Sequence, residues 1–172
     1  MEVLEMKLFG DIYRGKRVLI TGHTGFKGSW LALWLHELGA DVFGLAFPPE
    51  THPNHWSLLH LPVNEYFIDI RDKDAVQRVF QEVKPEIIFH LAAQSLIYES
   101  YKKPLLTFEI NCLGTLNILE VTKNYKFIKS LVSVTSDKCY ENKGWTRGYK
   151  ENDVLGGVDP YSASKASSEL II

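Results

Sequence analysis

Tyr161 and Lys165 stand four residues apart near the end of the 172-residue sequence, so a helix there carries both on one face. An ammonium beside a phenol favours the phenolate and pulls the tyrosine pKa from about 10 toward working pH. Tyr161 then becomes a general base for a hydroxyl proton. The spacing by itself is common on ordinary surface helices. Upstream, Thr135-Ser136-Asp137-Lys138-Cys139-Tyr140 sets a hydroxyl, a carboxylate and an amine side by side. A structural ion pair in a loop is the plain alternative for Asp137 and Lys138.

A third constellation lies near the N-terminus, at Gly22-His23-Thr24-Gly25-Phe26-Lys27-Gly28. Gly22 allows a tight turn after the run Arg17–Thr21. Gly25 leaves room for the backbone to approach a pyrophosphate, and Gly28 permits close helix packing. The N–H groups and the positive dipole end of the helix that follows would face the phosphates. A strand-to-helix turn without ligand is the alternative reading, because a glycine triad alone is weak.

The elements needed to position these residues follow from patterning. Arg17–Thr21 reads as a buried parallel strand. From Phe26 to Leu38 the pattern turns helical, with Phe26, Trp30, Leu33, Trp34 and Leu38 recurring and Gly39 as the stop. Trp30 and Trp34 are expected on the face that meets the sheet. Asp41–Leu45 is a second strand, and the prolines of Phe47–Pro62 predict loop with at most a short helix. Glu65–Ile70 is a third strand. Asp72 caps a helix whose buried face is Ala75, Val76, Val79, Phe80 and Val83. Glu86–Leu91 is a fourth strand. A long helix follows Pro104, with Leu105, Phe108, Leu116, Leu119 and Val121 expected to be buried. Ser130–Thr135 is a fifth strand, the glycines at 144, 148, 156 and 157 mark an extended loop, and Ser162–Ile172 is helical. Strands alternating with crossover helices predict an α/β fold, a Rossmann-type doubly wound parallel sheet over residues 1–172. Ligands of such sheets sit at the carboxyl ends of the strands, where all three constellations fall.

The spacing G-x-x-G-x-x-G, rather than G-x-G-x-x-G, resembles the extended short-chain dehydrogenase/reductase superfamily. Four further stretches carry the resemblance: Asp69-Ile70-Arg71, Leu91-Ala92-Ala93-Gln94, Asn111, and Tyr161-Ser162-Ala163-Ser164-Lys165. It implies a nicotinamide dinucleotide held by Gly22, Thr24, Gly25, Phe26, Lys27, Gly28, Asp69, Ile70, Leu91, Ala92, Ala93, Gln94 and Asn111, with Lys165 on the ribose and Tyr161 at the reacting centre. Ser136 and Ser95 would meet the substrate. Ser136-Asp137-Lys138 is similar to the CDP-glucose branch of the sugar-nucleotide 4,6-dehydratases, where the dTDP-glucose type carries Thr-Asp-Glu. The implied cycle starts with Tyr161 taking the sugar 4-OH proton while Ser136 orients that oxygen and hydride leaves C4 for the nicotinamide. The ketone acidifies C5–H. Lys138, given burial or nearby cations that depress its pKa, removes that proton while Asp137 protonates the departing C6 hydroxyl, and hydride returns to C6. A sugar-nucleotide epimerase or reductase and a non-catalytic nucleotide-binding module are the competing readings.

Ala46 departs from this pattern, since an NAD enzyme usually has an acid at the end of the second strand. No arginine stands there for a 2′-phosphate either. The redox-neutral cycle suggests NAD, and the sequence leaves NADP open. The formal net charge is −2, which implies no general affinity for nucleic acid or anionic membrane. No apolar run reaches membrane-spanning length, and Met1–Gly15 lacks a signal-peptide core. Cys112 and Cys139 are read as reduced thiols of a cytoplasmic protein. His52, His55 and His60 are read as ordinary loop histidines, and no metal is expected. The resemblance implies a homodimer or larger homo-oligomer through the long helix and the tyrosine helix. It also implies that the sequence is truncated before the substrate-binding lobe.

Overall fold

The computed structural model describes residues 8–172, so the first seven residues of the Met1–Gly15 stretch lie outside it. Five strands form one sheet: β1 (Arg17–Thr21), β2 (Asp41–Ala46), β3 (Asn64–Phe67), β4 (Ile87–His90) and β5 (Ser130–Ser133). Their order is β3-β2-β1-β4-β5, with every neighbouring pair parallel. The order reverses between β1 and β4, which opens a crevice beyond their carboxyl ends.

The helices are α1 (Phe26–Glu37), α2 (His55–Leu59), α3 (Lys73–Val83), α4 (Ile97–Lys102), α5 (Pro104–Phe108), α6 (Thr115–Thr122) and α7 (Pro160–Ile171). β1 feeds a core on each side of the sheet. Leu19 joins Val76, Phe80, Ile88, Ile118 and Val121 on one face, while Val18 and Ile20 join Ala32, Leu35, Val42 and Trp56 on the other. Asp72 caps α3 by accepting the Ala75 N–H at 2.9 Å, and all five residues expected on its inner face are buried.

The structure corrects three expectations. On α1 the buried residues are Gly28, Ser29, Ala32 and Leu35, while Phe26 is 77% exposed and Trp30 and Trp34 are each 51% exposed. The reason is the approach of the helix to β1. A Cβ on Gly28 would lie 2.1 Å from the Gly22 carbonyl oxygen, so only the small-residue face fits against the sheet. The aromatic stripe turns outward, where Trp30 stacks on His55 and Trp34 meets the edge of Phe9. Second, the long helix after Pro104 is three segments, α5, a π-helical turn (Glu109–Gly114) and α6. Its inner side presents Thr107, Asn111, Thr115, Ile118 and Val121, while Leu105 and Leu116 are exposed and Phe108 and Leu119 half-buried. Thr115 meets His90 on β4, Thr107 and Asn111 meet Gln94 just after β4, and Asn111 also meets Ser164 on α7, which sets the face. Third, β3, β4 and β5 stop short of the predicted ends, at Phe67, His90 and Ser133, and α4 forms in a stretch to which the sequence reading assigned no element.

Candidate active site

The glycine turn crosses the crevice at the end of β1. Gly22 has φ +77°, and a Cβ there would lie 2.8 Å from the Ala92 backbone nitrogen. The turns after β1 and β4 therefore touch through backbone, which a side chain would prevent. Gly25 N-caps α1, and no side chain accepts from the first turn of that helix. Those N–H groups and the helix dipole face outward, as a phosphate site requires. Thr24 does not face that way: its hydroxyl donates to the Phe47 carbonyl at 2.8 Å and ties the turn to the end of β2. His23 is fully buried, with Nε2 3.0 Å from Glu65 Oε2, an oxygen that also accepts the Trp56 indole N–H at 3.0 Å. Burial pushes the His23 pKa down against the opposing pull of Glu65, and its Nδ1 has no hydrogen-bond partner.

Across the crevice, Leu91, Ala92, Ala93 and Gln94 leave β4 half-buried. The Gln94 side chain is occupied internally, donating to the Leu96 carbonyl and the Thr107 hydroxyl and accepting the Leu96 N–H. Asn111 lies in the π turn with its amide fully directed into the protein. It accepts the Gln94 N–H at 2.8 Å and donates to the Gln94 carbonyl at 3.0 Å and to Ser164 Oγ at 2.8 Å. Ser95 is exposed. After β3, Ile70 is a core side chain, leaving only its backbone for any ligand. Asp69 chelates Arg71, whose guanidinium also reaches Glu109 at 2.9 Å. Burial pushes the Asp69 carboxyl up, but the hydrogen bonds from Arg71 prevail and hold it below the usual range.

At the far side, α7 packs against the 3₁₀ turn Asp137–Cys139 that follows β5. Asp159 starts α7 by accepting the Ser162 N–H at 2.9 Å. The Thr135 hydroxyl donates to Glu169 on α7. Tyr161 and Lys165 are therefore brought alongside Ser136, Asp137 and Lys138. Both are buried, and the Lys165 ammonium makes one long contact, 3.5 Å to the Val134 carbonyl. An ammonium has three donors, so most of its hydrogen-bonding capacity is free for a hydroxyl-bearing ligand. Burial lowers its pKa, and Lys27 on α1 adds to the lowering, which sets Lys27 within electrostatic reach across the crevice. The Ser136 hydroxyl caps the 3₁₀ turn, accepting the Lys138 N–H at 3.2 Å and lying 3.2 Å from Asp137 Oδ1. Asp137 and Lys138 are exposed, so the burial invoked for a Lys138 base is not met within this chain.

The sequence reading missed His90. It ends the apolar run Ile87-Ile88-Phe89, is 3% exposed, and sits between the Thr21 and Thr115 hydroxyls at 2.7 and 3.0 Å. A histidine closing an otherwise apolar central strand was the available signal, because a buried imidazole needs partners.

A sequence model of the GDP-mannose 4,6 dehydratase family matches residues 19–172. The chain belongs to that family. It is 47% identical over 163 residues to the CDP-glucose 4,6-dehydratase of Salmonella typhimurium, covering 94% of this chain and 45% of that protein. An epimerase from Methanothermobacter thermautotrophicus superposes with a TM-score of 0.85 at 28% identity, covering 98% of this chain and 50% of the other. A UDP-glucose 4-epimerase of Thermus thermophilus, solved with NAD, gives 0.74 at 33% identity over 90% of this chain and 49% of the other. The chain thus spans about half the length of the family members and fold neighbours it matches. Among the described residues, no three or more His, Cys, Asp or Glu side chains gather as for a metal, and no helix is long and apolar enough to cross a membrane.

Proposed function

We propose that this chain is the dinucleotide-binding and catalytic half of a sugar-nucleotide 4,6-dehydratase that uses NAD and acts on CDP-glucose. The observation that carries the reading is Ser136-Asp137-Lys138 beyond β5, held against the helix of Tyr161 and Lys165, in a chain 47% identical to a CDP-glucose 4,6-dehydratase. The crevice suits a dinucleotide on its own geometry. Gly22 and Gly28 leave no room for side chains, the first turn of α1 is uncapped, and the buried ammonium of Lys165 is mostly unpartnered.

When bound, the nicotinamide supplies the sink that takes hydride from C4 of the sugar and returns it to C6. The residues do the proton chemistry. Tyr161 takes the 4-hydroxyl proton, with Lys165 favouring its phenolate. Ser136 orients the same oxygen. The ketone at C4 acidifies C5–H, and Lys138 removes that proton as Asp137 protonates the leaving C6 hydroxyl. The exposure of both residues means that the substrate and the rest of the protein would have to exclude water from them. Lys27, Phe26 and the backbone of Gly25 and Ile70 would line the cofactor, with Asp69 toward the adenine end. A cytoplasmic setting accords with two free cysteines, Cys112 and Cys139. A homodimer through the outer faces of α5, α6 and α7 accords with exposed Leu105, Leu116 and Leu170.

Lys138→Ala and Asp137→Asn in the protein that contains this chain should each slow water elimination about a hundredfold or more, the usual scale for losing an acid or base. Exchange of the C4 hydrogen with the cofactor should survive in both. Elimination at the parent rate in either variant removes that residue from the mechanism. An epimerase is the second reading, favoured by the superposition on epimerases, and it requires no acid or base beside Ser136.

A further inference from the structure

The residues beneath the crevice form one hydrogen-bonded line. The N–H of Ala92 donates to Thr21 Oγ1 at 3.1 Å, and the N–H of Leu91 is shared between that oxygen at 3.1 Å and the Thr21 carbonyl at 3.0 Å. The single Thr21 hydroxyl proton then goes to His90 Nδ1, 2.7 Å away. On the other side, the Thr115 hydroxyl donates to the Asn111 carbonyl at 2.7 Å, so its oxygen accepts from His90 Nε2–H at 3.0 Å. Every proton is accounted for, and the count fixes His90 as the neutral Nε2–H tautomer. The line continues, because the Asn111 amide holds the Gln94 backbone both ways and donates to Ser164 Oγ, which donates to the carbonyl of Tyr161 at 2.7 Å. Ser168 Oγ lies 2.9 Å from the same Asn111 carbonyl. Thr21, His90, Asn111, Thr115, Ser164 and Ser168 are all buried.

We infer that His90 is a positioning residue, the central link of a buried polar strut that sets the spacing between the glycine turn after β1 and the helix that carries Tyr161. Thr21 is the residue before Gly22, and Ser164 grips the backbone of Tyr161 itself, so the two ends of the strut are the two walls of the crevice. An apolar side chain could fill the His90 volume but could not join a donor on one wall to an acceptor on the other. Satisfied buried networks of this kind specify a single arrangement, whereas partly satisfied ones are costly. Burial drives the His90 pKa down to about 3, and the charge of Lys165 on α7 adds to the effect, which agrees with a neutral ring.

The inference rests on the crevice being a dinucleotide site, and the test separates the two. NAD binding to the protein that contains this chain is measured by calorimetry for the parent, His90→Leu, His90→Gln and Val76→Ala. Glutamine keeps one acceptor and one donor. Val76 is a fully buried core residue on α3 and serves as the control for lost stability. His90→Leu should weaken NAD binding about tenfold or more, and His90→Gln should stay within about threefold of the parent. Val76→Ala should lower thermal stability and leave affinity intact. Parent-like affinity in His90→Leu, or a loss in Val76→Ala as large as in His90→Leu, overturns the inference. The ¹⁵N imidazole spectrum and amide hydrogen exchange need no cofactor. His90 should be a neutral Nε2–H ring with a slowly exchanging Ala92 amide, and that amide should exchange faster in His90→Leu. A charged ring, an Nδ1–H ring or unchanged exchange overturns the strut. A parent chain that fails to bind NAD while showing these signatures overturns the cofactor reading and supports the strut.

Discussion

Two buried histidines give the single residues of this chain a pH signature. His90 titrates near 3 in the folded chain against an ordinary 6.5, and burial lowers His23 in the same direction. Between those values the unfolded chain binds the proton and the folded chain does not. Unfolding free energy therefore falls as pH drops below about 6.5, and above that pH the contribution is complete. The slope for one such group is at most about 1.4 kcal/mol per pH unit. Urea unfolding from pH 7.5 down to 5 should show a steeper loss for the parent than for His90→Gln, and parallel curves would contradict the assignment. Tyr161, Lys165 and Ser136 stand out in the sequence through short spacings, and the fold brings their segments together. His90 does not stand out, because its partners lie 69 and 25 residues away and only the folded sheet brings them together. Gln94 and Asn111 were found by their pattern, but their inward-turned side chains could be seen only in the structure.

The elements were legible to the extent that periodicity defines them. β1 and the buried face of α3 agree with the sequence reading residue by residue. α1 shows the limit. Its apolar stripe was visible, yet periodicity says only that a stripe exists and not which side meets the sheet. The contact of Gly28 with the Gly22 carbonyl decides that, and it selects Gly28, Ser29, Ala32 and Leu35. Leu35→Ala should accordingly cost about 2–5 kcal/mol, as for a buried leucine. Phe26→Ala, at a side chain mostly in solvent, should change stability by about 0.5 kcal/mol or less. Comparable losses in denaturant unfolding would contradict the orientation of α1. The π turn at Glu109–Gly114 was equally invisible to periodicity, and π turns recur at functional sites. Here it carries Asn111, which joins the turn after β4 to α7.

At the scale of the whole molecule, the strand order β3-β2-β1-β4-β5 gathers residues from the beginning, middle and end of the chain at one crevice. Alternating strands and helices were enough to predict the parallel sheet, since each crossover helix carries the chain back to begin the next strand in the same direction. The matched family members and fold neighbours are about twice as long as this chain. The exposure of Asp137 and Lys138 fits a pocket wall supplied by other residues. In the proposed dehydration one hydrogen moves from C4 to C6 within a single sugar. CDP-glucose carrying deuterium at C4, turned over by the protein that contains this chain, tests that most directly by mass spectrometry and proton NMR. The product should be lighter by one water and carry the deuterium at C6. A product of unchanged mass with C4 inverted would contradict the account and establish the epimerase reading in its place.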